Sequence, residues 1–187
     1  MKTDFTQNIE DAVNQYRFDR DPSPKGQSAE PLLSFPNGAL VHFAVSNHEV
    51  CMTTRLEGTN TRFLPFNKGD DGATGNPLNP TGHQTAYLWE EVWQRASWLE
   101  ILGRYLVAER DDKKQLKRIL FPRYHQLAVT RKLLAAILEE GAGQKCLIQH
   151  SAGSGKTNSI AWSAHFLADL HYPDEPQGAS RLWRKDC

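Results

Sequence analysis

Apolar positions recur along the chain with two periods, and the period assigns the elements. Over IEDAVNQYRFDR (9–20), Ile9, Ala12, Val13 and Tyr16 share one face at helical spacing. Residues 21–38 hold four prolines and two glycines and read as a loop. ALVHFAV (39–45) and VCMTTRL (50–56) read as strands joined by a four-residue Ser-Asn-His-Glu connection. RFLPF (62–66) is a third extended piece, which Pro65 confines to an edge. Helical spacing returns in TAYLWEEVWQ (85–94) and ASWLEILGRYLVAE (96–109), where Trp98, Leu99, Ile101, Leu102, Tyr105 and Leu106 make a broad apolar stripe. RDDKKQLKR (110–118) mixes acids and bases. It reads as a solvated helix surface or linker, with direct DNA contact as the other reading. YHQLAVTRKLLAAILEE (124–140) is a helix that Gly141 and Gly143 stop. KCLIQ (145–149) reads as a short buried strand, and a further helix runs from Lys156 to Leu170, ending before Pro173.

The order helix, strand, Gly-rich turn, helix in the last third is the opening of a parallel α/β sheet, with an α+β segment ahead of it. NKGDDGATGNPLNPTG (67–82) has four glycines and two prolines and sets a soft boundary between the two parts. The 187 residues are 39% hydrophobic and 24% charged, a globular balance. Lys plus Arg equals Asp plus Glu at 22 each, which removes any bulk electrostatic case for nucleic acid and leaves only a local patch. Cys51, Cys146 and Cys187 are scattered, with no C-x-x-C pair, and fit free thiols in a reducing compartment. The opening MKTDFTQNIED has no apolar signal-peptide core, and no run of about 18 apolar residues is present to span a membrane. A cytoplasmic chain is therefore expected. The histidines include no H-x-x-x-H pair and no cysteine at ligand spacing, so His42, His150 and His165 read as structural.

LIQHSAGSGKTNSIAW (147–162) carries the candidate chemistry. An anion grip needs backbone N–H groups that converge, which Gly153 and Gly155 permit around Ser154. It needs a helix N-terminus aimed at the same point, which the helix opening at Lys156 supplies. It needs a cation for the outer phosphates and a hydroxyl for Mg²⁺, the roles of Lys156 and Thr157. The implied ligands are ATP and Mg²⁺. The pattern G-x-x-x-x-G-K-[ST] departs at His150, where its first glycine belongs. The plain alternative is a Gly-rich turn that only connects strand to helix.

FPRYHQ (121–126) lies just upstream and resembles the segment that precedes the first strand in superfamily 2 helicase motors. There a Gln reads the adenine edge, because an amide offers both a donor and an acceptor, and an aromatic stacks on the ring. Gln126 and Tyr124 would take these roles; the alternative is a helix start with Tyr124 packed as core.

Together with DAVNQYRFDRDP, HFAVSNHEVCMTTRLEGTNTRFLPFNKG and GNPLNPTGHQTAYLWEEVW, these runs resemble the R subunit of type I restriction-modification enzymes, over about residues 1–172. The resemblance implies a RecA-like P-loop helicase domain that begins at 119–172, preceded by the end of a PD-(D/E)-x-K nuclease domain at 1–66. Residues 67–118 would be loop and connecting helices, and 173–187 stay unassigned. Lys2 stands where the nuclease lysine falls, and Gln15 resembles the glutamine of the following helix, although Asp19 replaces a tyrosine found four residues later in some members. The metal-binding carboxylates would precede Met1. The acidic pair for ATP hydrolysis would lie on a strand later than any read here; Asp174 and Glu175, between Pro173 and Pro176, sit in a loop context and do not read as that pair. The implied activity is ATP-dependent DNA translocation and cleavage by a type I deoxyribonuclease, with DNA and the modification and specificity subunits as partners. These 187 residues by themselves are expected to be an internal piece without turnover. Two other classes stay open: a small stand-alone P-loop nucleotide-binding protein, and a non-enzymatic module that docks on DNA or on the modification complex.

Overall fold

The computed structural model describes residues 8–23, 25–70, 73–141, 143 and 145–170. The chain divides into two compact units, Met1–Tyr124 and His125–Cys187. Residues 67–118, expected to connect domains, belong to the first of these with 8–66.

The first unit opens with α1, Ile9–Asn14, which continues as a π-helical turn over Gln15–Asp19. A capping box starts α1: Asn8 Oδ1 accepts from the Asp11 N–H at 2.9 Å, and Asp11 Oδ2 accepts from the Asn8 N–H at 3.0 Å. The expected hairpin forms from β1, His42–Val45, and β2, Val50–Thr53, paired antiparallel with Phe43 opposite Met52. The short β3, Leu64–Pro65, pairs antiparallel with β2 at the sheet edge. There Pro65 costs no ladder bond that a central strand would need.

The glycine-rich segment after β3 is tied down through Asn76. Its Oδ1 accepts from the Lys68 N–H at 2.6 Å, and its Nδ2 donates to the His48 carbonyl at 2.8 Å and to Asn67 Oδ1 at 3.1 Å. One side chain thus fastens this segment to the β1–β2 turn. Aromatic rings fill the core behind the sheet. Phe43 meets Phe66 at 5.4 Å and Trp93 at 5.6 Å, both edge to face. The Tyr87 hydroxyl donates to the Phe66 carbonyl at 2.7 Å, and burial raises its pKa far above the ordinary tyrosine value.

The stretch expected as two helices and a charged surface folds differently. A π-helical turn over Leu88–Val92 leads to α2, Arg95–Glu100, and a second π-helical turn over Ile101–Tyr105. Val92, Ile101 and Tyr105 are completely buried. The chain then forms a hairpin of β4, Val107–Arg110, and β5, Leu116–Leu120. Asp111 makes the turn: Oδ1 accepts from the Lys113 and Gln115 N–H groups at 2.9 and 2.8 Å, and Lys114 takes φ 61°. Glu109 faces Arg118 across the ladder and pairs with it, which holds the Glu109 carboxyl below its usual range. The charges of 110–118 therefore dress a two-stranded ribbon, not a helix. β5 is anchored where Thr54 Oγ1 donates to the Ile119 carbonyl at 2.8 Å.

The second unit holds most of α3, Tyr124–Glu140, and α4, Lys156–Ala168. Gly141 ends α3 in the left-handed conformation, φ 83°, with its N–H on the Ile137 carbonyl at 2.9 Å. KCLIQ forms no strand; Leu147 is 93% exposed and Ile148 38%. A parallel strand exists only beside a neighbour that takes its N–H and C=O groups, and among the described residues none pairs with it.

Candidate functional site

The turn before α4 is built by two backbone conformations. Gly153 has φ 73° and Gly155 φ 81°, both in the left-handed region that a Cβ disfavours. Gly155 is the N-cap, and the first helical bonds run to its carbonyl from the N–H groups of Asn158 at 3.0 Å and Ser159 at 3.4 Å. The N–H groups of Lys156 and Thr157 lie before those bonds, at the positive end of a 13-residue helix.

Lys156 and Thr157 are exposed at this helix start. Lys156 Nζ reaches back over the turn to the His150 carbonyl at 3.2 Å. The Ser154 residue is 6% exposed, and its hydroxyl is buried with no partner, as is His150 Nδ1. Residues 141–168 contain no Asp or Glu, while Lys145 and Lys156 are basic, so this part of a neutral chain is locally positive. N–H groups, an ammonium and unpaired hydroxyls are all donors, and such a set suits a phosphate-like anion.

Of the two residues expected to read adenine, Gln126 touches the turn and Tyr124 packs in the first unit. Gln126 is 3% exposed, and its Nε2 donates to the Gly155 carbonyl at 2.9 Å and the Ser154 carbonyl at 3.3 Å. Tyr124 is 8% exposed and packed in the first unit, its ring edge-on to Tyr87 at 4.9 Å and to Phe66 at 6.0 Å. Its hydroxyl donates to Glu91 Oε2 at 2.8 Å. The ring that was to stack on a base is thus spent on core packing, the alternative the sequence left open. His125, which no sequence argument singled out, places Nε2 2.9 Å from the Ser154 carbonyl, with its ring 4.9 Å from that of His150. Its adjacency to Gln126 was the available signal. His165, expected to be structural, is exposed.

On the nuclease side, Lys2 lies outside the described residues. Gln15 is exposed on the π-helical turn, where it lines a cavity of about 510 Å³ with Asp11, Asn47, His83 and Trp89. Residues 173–187 also lie outside the described residues. No family model, no curated protein and no solved structure matches this chain. Among the described residues no helix is long and apolar enough to cross a membrane.

Proposed function

We propose that the turn Gly153-Ser154-Gly155-Lys156-Thr157 binds the phosphates of ATP with Mg²⁺, and that this chain serves in the R subunit of a cytoplasmic type I restriction enzyme. The observation that carries the first part is the pair of left-handed glycines directly ahead of a helix whose first residue is a lysine. Gly155 and Lys156 offer backbone N–H groups to the phosphates, and Lys156 swings its ammonium from the His150 carbonyl onto the outer oxygens. The Thr157 hydroxyl, with the phosphate oxygens, would hold the magnesium. Among the described residues no group of three or more His, Cys, Asp or Glu side chains converges to hold it otherwise. In the R subunit, hydrolysis of such a nucleotide would drive translocation, while these 187 residues by themselves would bind it without turnover.

The second part rests on the resemblance of the sequence runs. In that setting the first unit belongs to the nuclease side, the second to the motor, and DNA with the modification and specificity subunits completes the enzyme. Calorimetry of the chain with MgATP tests the site. Lys156→Ala is expected to weaken binding about tenfold or more, from the ~1.5–3 kcal/mol of a hydrogen bond to a charged group. Equal affinities in variant and parent would remove the phosphate assignment.

A further inference from the structure

Gln126 and His125 both reach the phosphate turn, and both reach its carbonyl oxygens. Gln126 Nε2 lies 2.9 Å from the Gly155 oxygen and 3.3 Å from the Ser154 oxygen, and His125 Nε2 lies 2.9 Å from the Ser154 oxygen. A carbonyl only accepts, so His125 carries its proton on Nε2 in this contact. In a planar trans peptide the C=O and the next residue's N–H point in opposite directions. The Ser154 carbonyl shares its plane with the Gly155 N–H, and the Gly155 carbonyl shares its plane with the Lys156 N–H. Drawing both oxygens toward the start of α3 therefore turns both N–H groups the other way. A reversed Ser154 plane would aim a carbonyl oxygen at the anion and repel it; the Gly155 plane is held as well by the Asn158 and Ser159 bonds that open α4.

We infer that Gln126 and His125 are positioning residues: together they fix the Ser154 peptide plane, and Gln126 adds to the α4 bonds that hold the Gly155 plane, so that two N–H groups face a polyphosphate whatever base it carries. The inference rests on the reading of this turn as a phosphate site. Gly155 belongs to the same device: a Cβ there would lie 2.5 Å from Gln126 Nε2, and the amide would have to shift from its carbonyl partners to make room. The buried Ser154 hydroxyl, which has no partner, is a donor left for the ligand that the aligned N–H groups receive.

The test compares three magnesium complexes by calorimetry on the full chain: ATP, GTP and base-free tripolyphosphate. Gln126→Ala is expected to weaken all three by one common factor, about tenfold, as loss of a buried donor to two carbonyls predicts. His125→Ala, which leaves Gln126 on both carbonyls and removes the His125 contact to Ser154 along with its ring contact to His150, is expected to weaken all three by a smaller common factor and serves if Gln126→Ala folds poorly. Gln126→Ala that loses ATP affinity while GTP and tripolyphosphate keep theirs would overturn the inference and restore a base-reading role. Variants that bind all three as the parent does would also overturn it. A parent chain that binds none of the three overturns the phosphate reading itself, a distinct outcome.

Discussion

Gln126 Nε2 donates to the Gly155 carbonyl at 2.9 Å and occupies the space that a Gly155 Cβ would need, 2.5 Å from it. Two penalties therefore meet in Gly155→Ala. One is the left-handed φ of 81°, worth roughly 1–2 kcal/mol for a non-glycine residue. The other is the collision, which Gln126→Ala relieves. The double variant is expected to be more stable than the sum of the two single changes, by about 1 kcal/mol of coupling. A denaturant double-mutant cycle measures this; strict additivity would mean that the two residues do not share the space.

Thr157→Val tests the magnesium role apart from the phosphate grip. The hydroxyl is lost while the helix start keeps its shape, and Thr157 is exposed. ATP affinity with Mg²⁺ is expected to fall several-fold, and affinity in excess chelator to stay as in the parent. A drop of equal size in both conditions would place the hydroxyl on the phosphate instead.

Tyr124→Phe keeps the ring against Tyr87 and Phe66 and removes the hydroxyl that donates to Glu91 at 2.8 Å. The expected cost is about 1.5 kcal/mol of stability, the low end for a hydrogen bond to a carboxylate. The ratio of ATP to GTP affinity should not move. A changed ratio with unchanged stability would return Tyr124 to the nucleotide.

Burial holds the His42 imidazole below its ordinary value, where its ring also meets Tyr16 at 5.8 Å. In the unfolded chain the same group titrates near about 6.5. Between the folded and unfolded values the unfolded state binds the proton and the folded state does not, so stability rises with pH through this window and is fully present above it. The melting temperature is expected to be lower at pH 5.5 than at pH 7.5. The difference should shrink in His42→Gln, followed by near-ultraviolet circular dichroism. An unchanged pH slope in the variant assigns the effect to other groups.

Leu147, 93% exposed, and Ile148, 38% exposed, lie in a segment that has no strand partner among the described residues. Apolar, unpaired backbone of this kind invites association. Light scattering is expected to show self-association of the chain at high concentration, reduced by Leu147→Lys. A monodisperse monomer in the parent would show that the segment is tolerated as it stands.

The sequence by itself determined what few neighbouring residues decide. Two short apolar runs around Ser-Asn-His-Glu specified the β1–β2 hairpin, and Tyr124–Glu140 carries its own helical period with Gly141 as its stop. The glycine turn ahead of α4 was legible because its glycines, lysine and following helix are contiguous. Tertiary structure decided the rest. An apolar run such as Leu147-Ile148 becomes a strand only beside a partner, which a local pattern cannot supply. Residues 107–120 carry charges that suit a helix surface or a ribbon, and the Asp111 turn with the Glu109–Arg118 pair chose the ribbon. Gln126 has one amide and, from its sequence position, could face a base or the chain's own carbonyls. In the folded chain its amide, at 3% exposure, donates to the Ser154 and Gly155 carbonyls, partners that only the tertiary structure brings within reach.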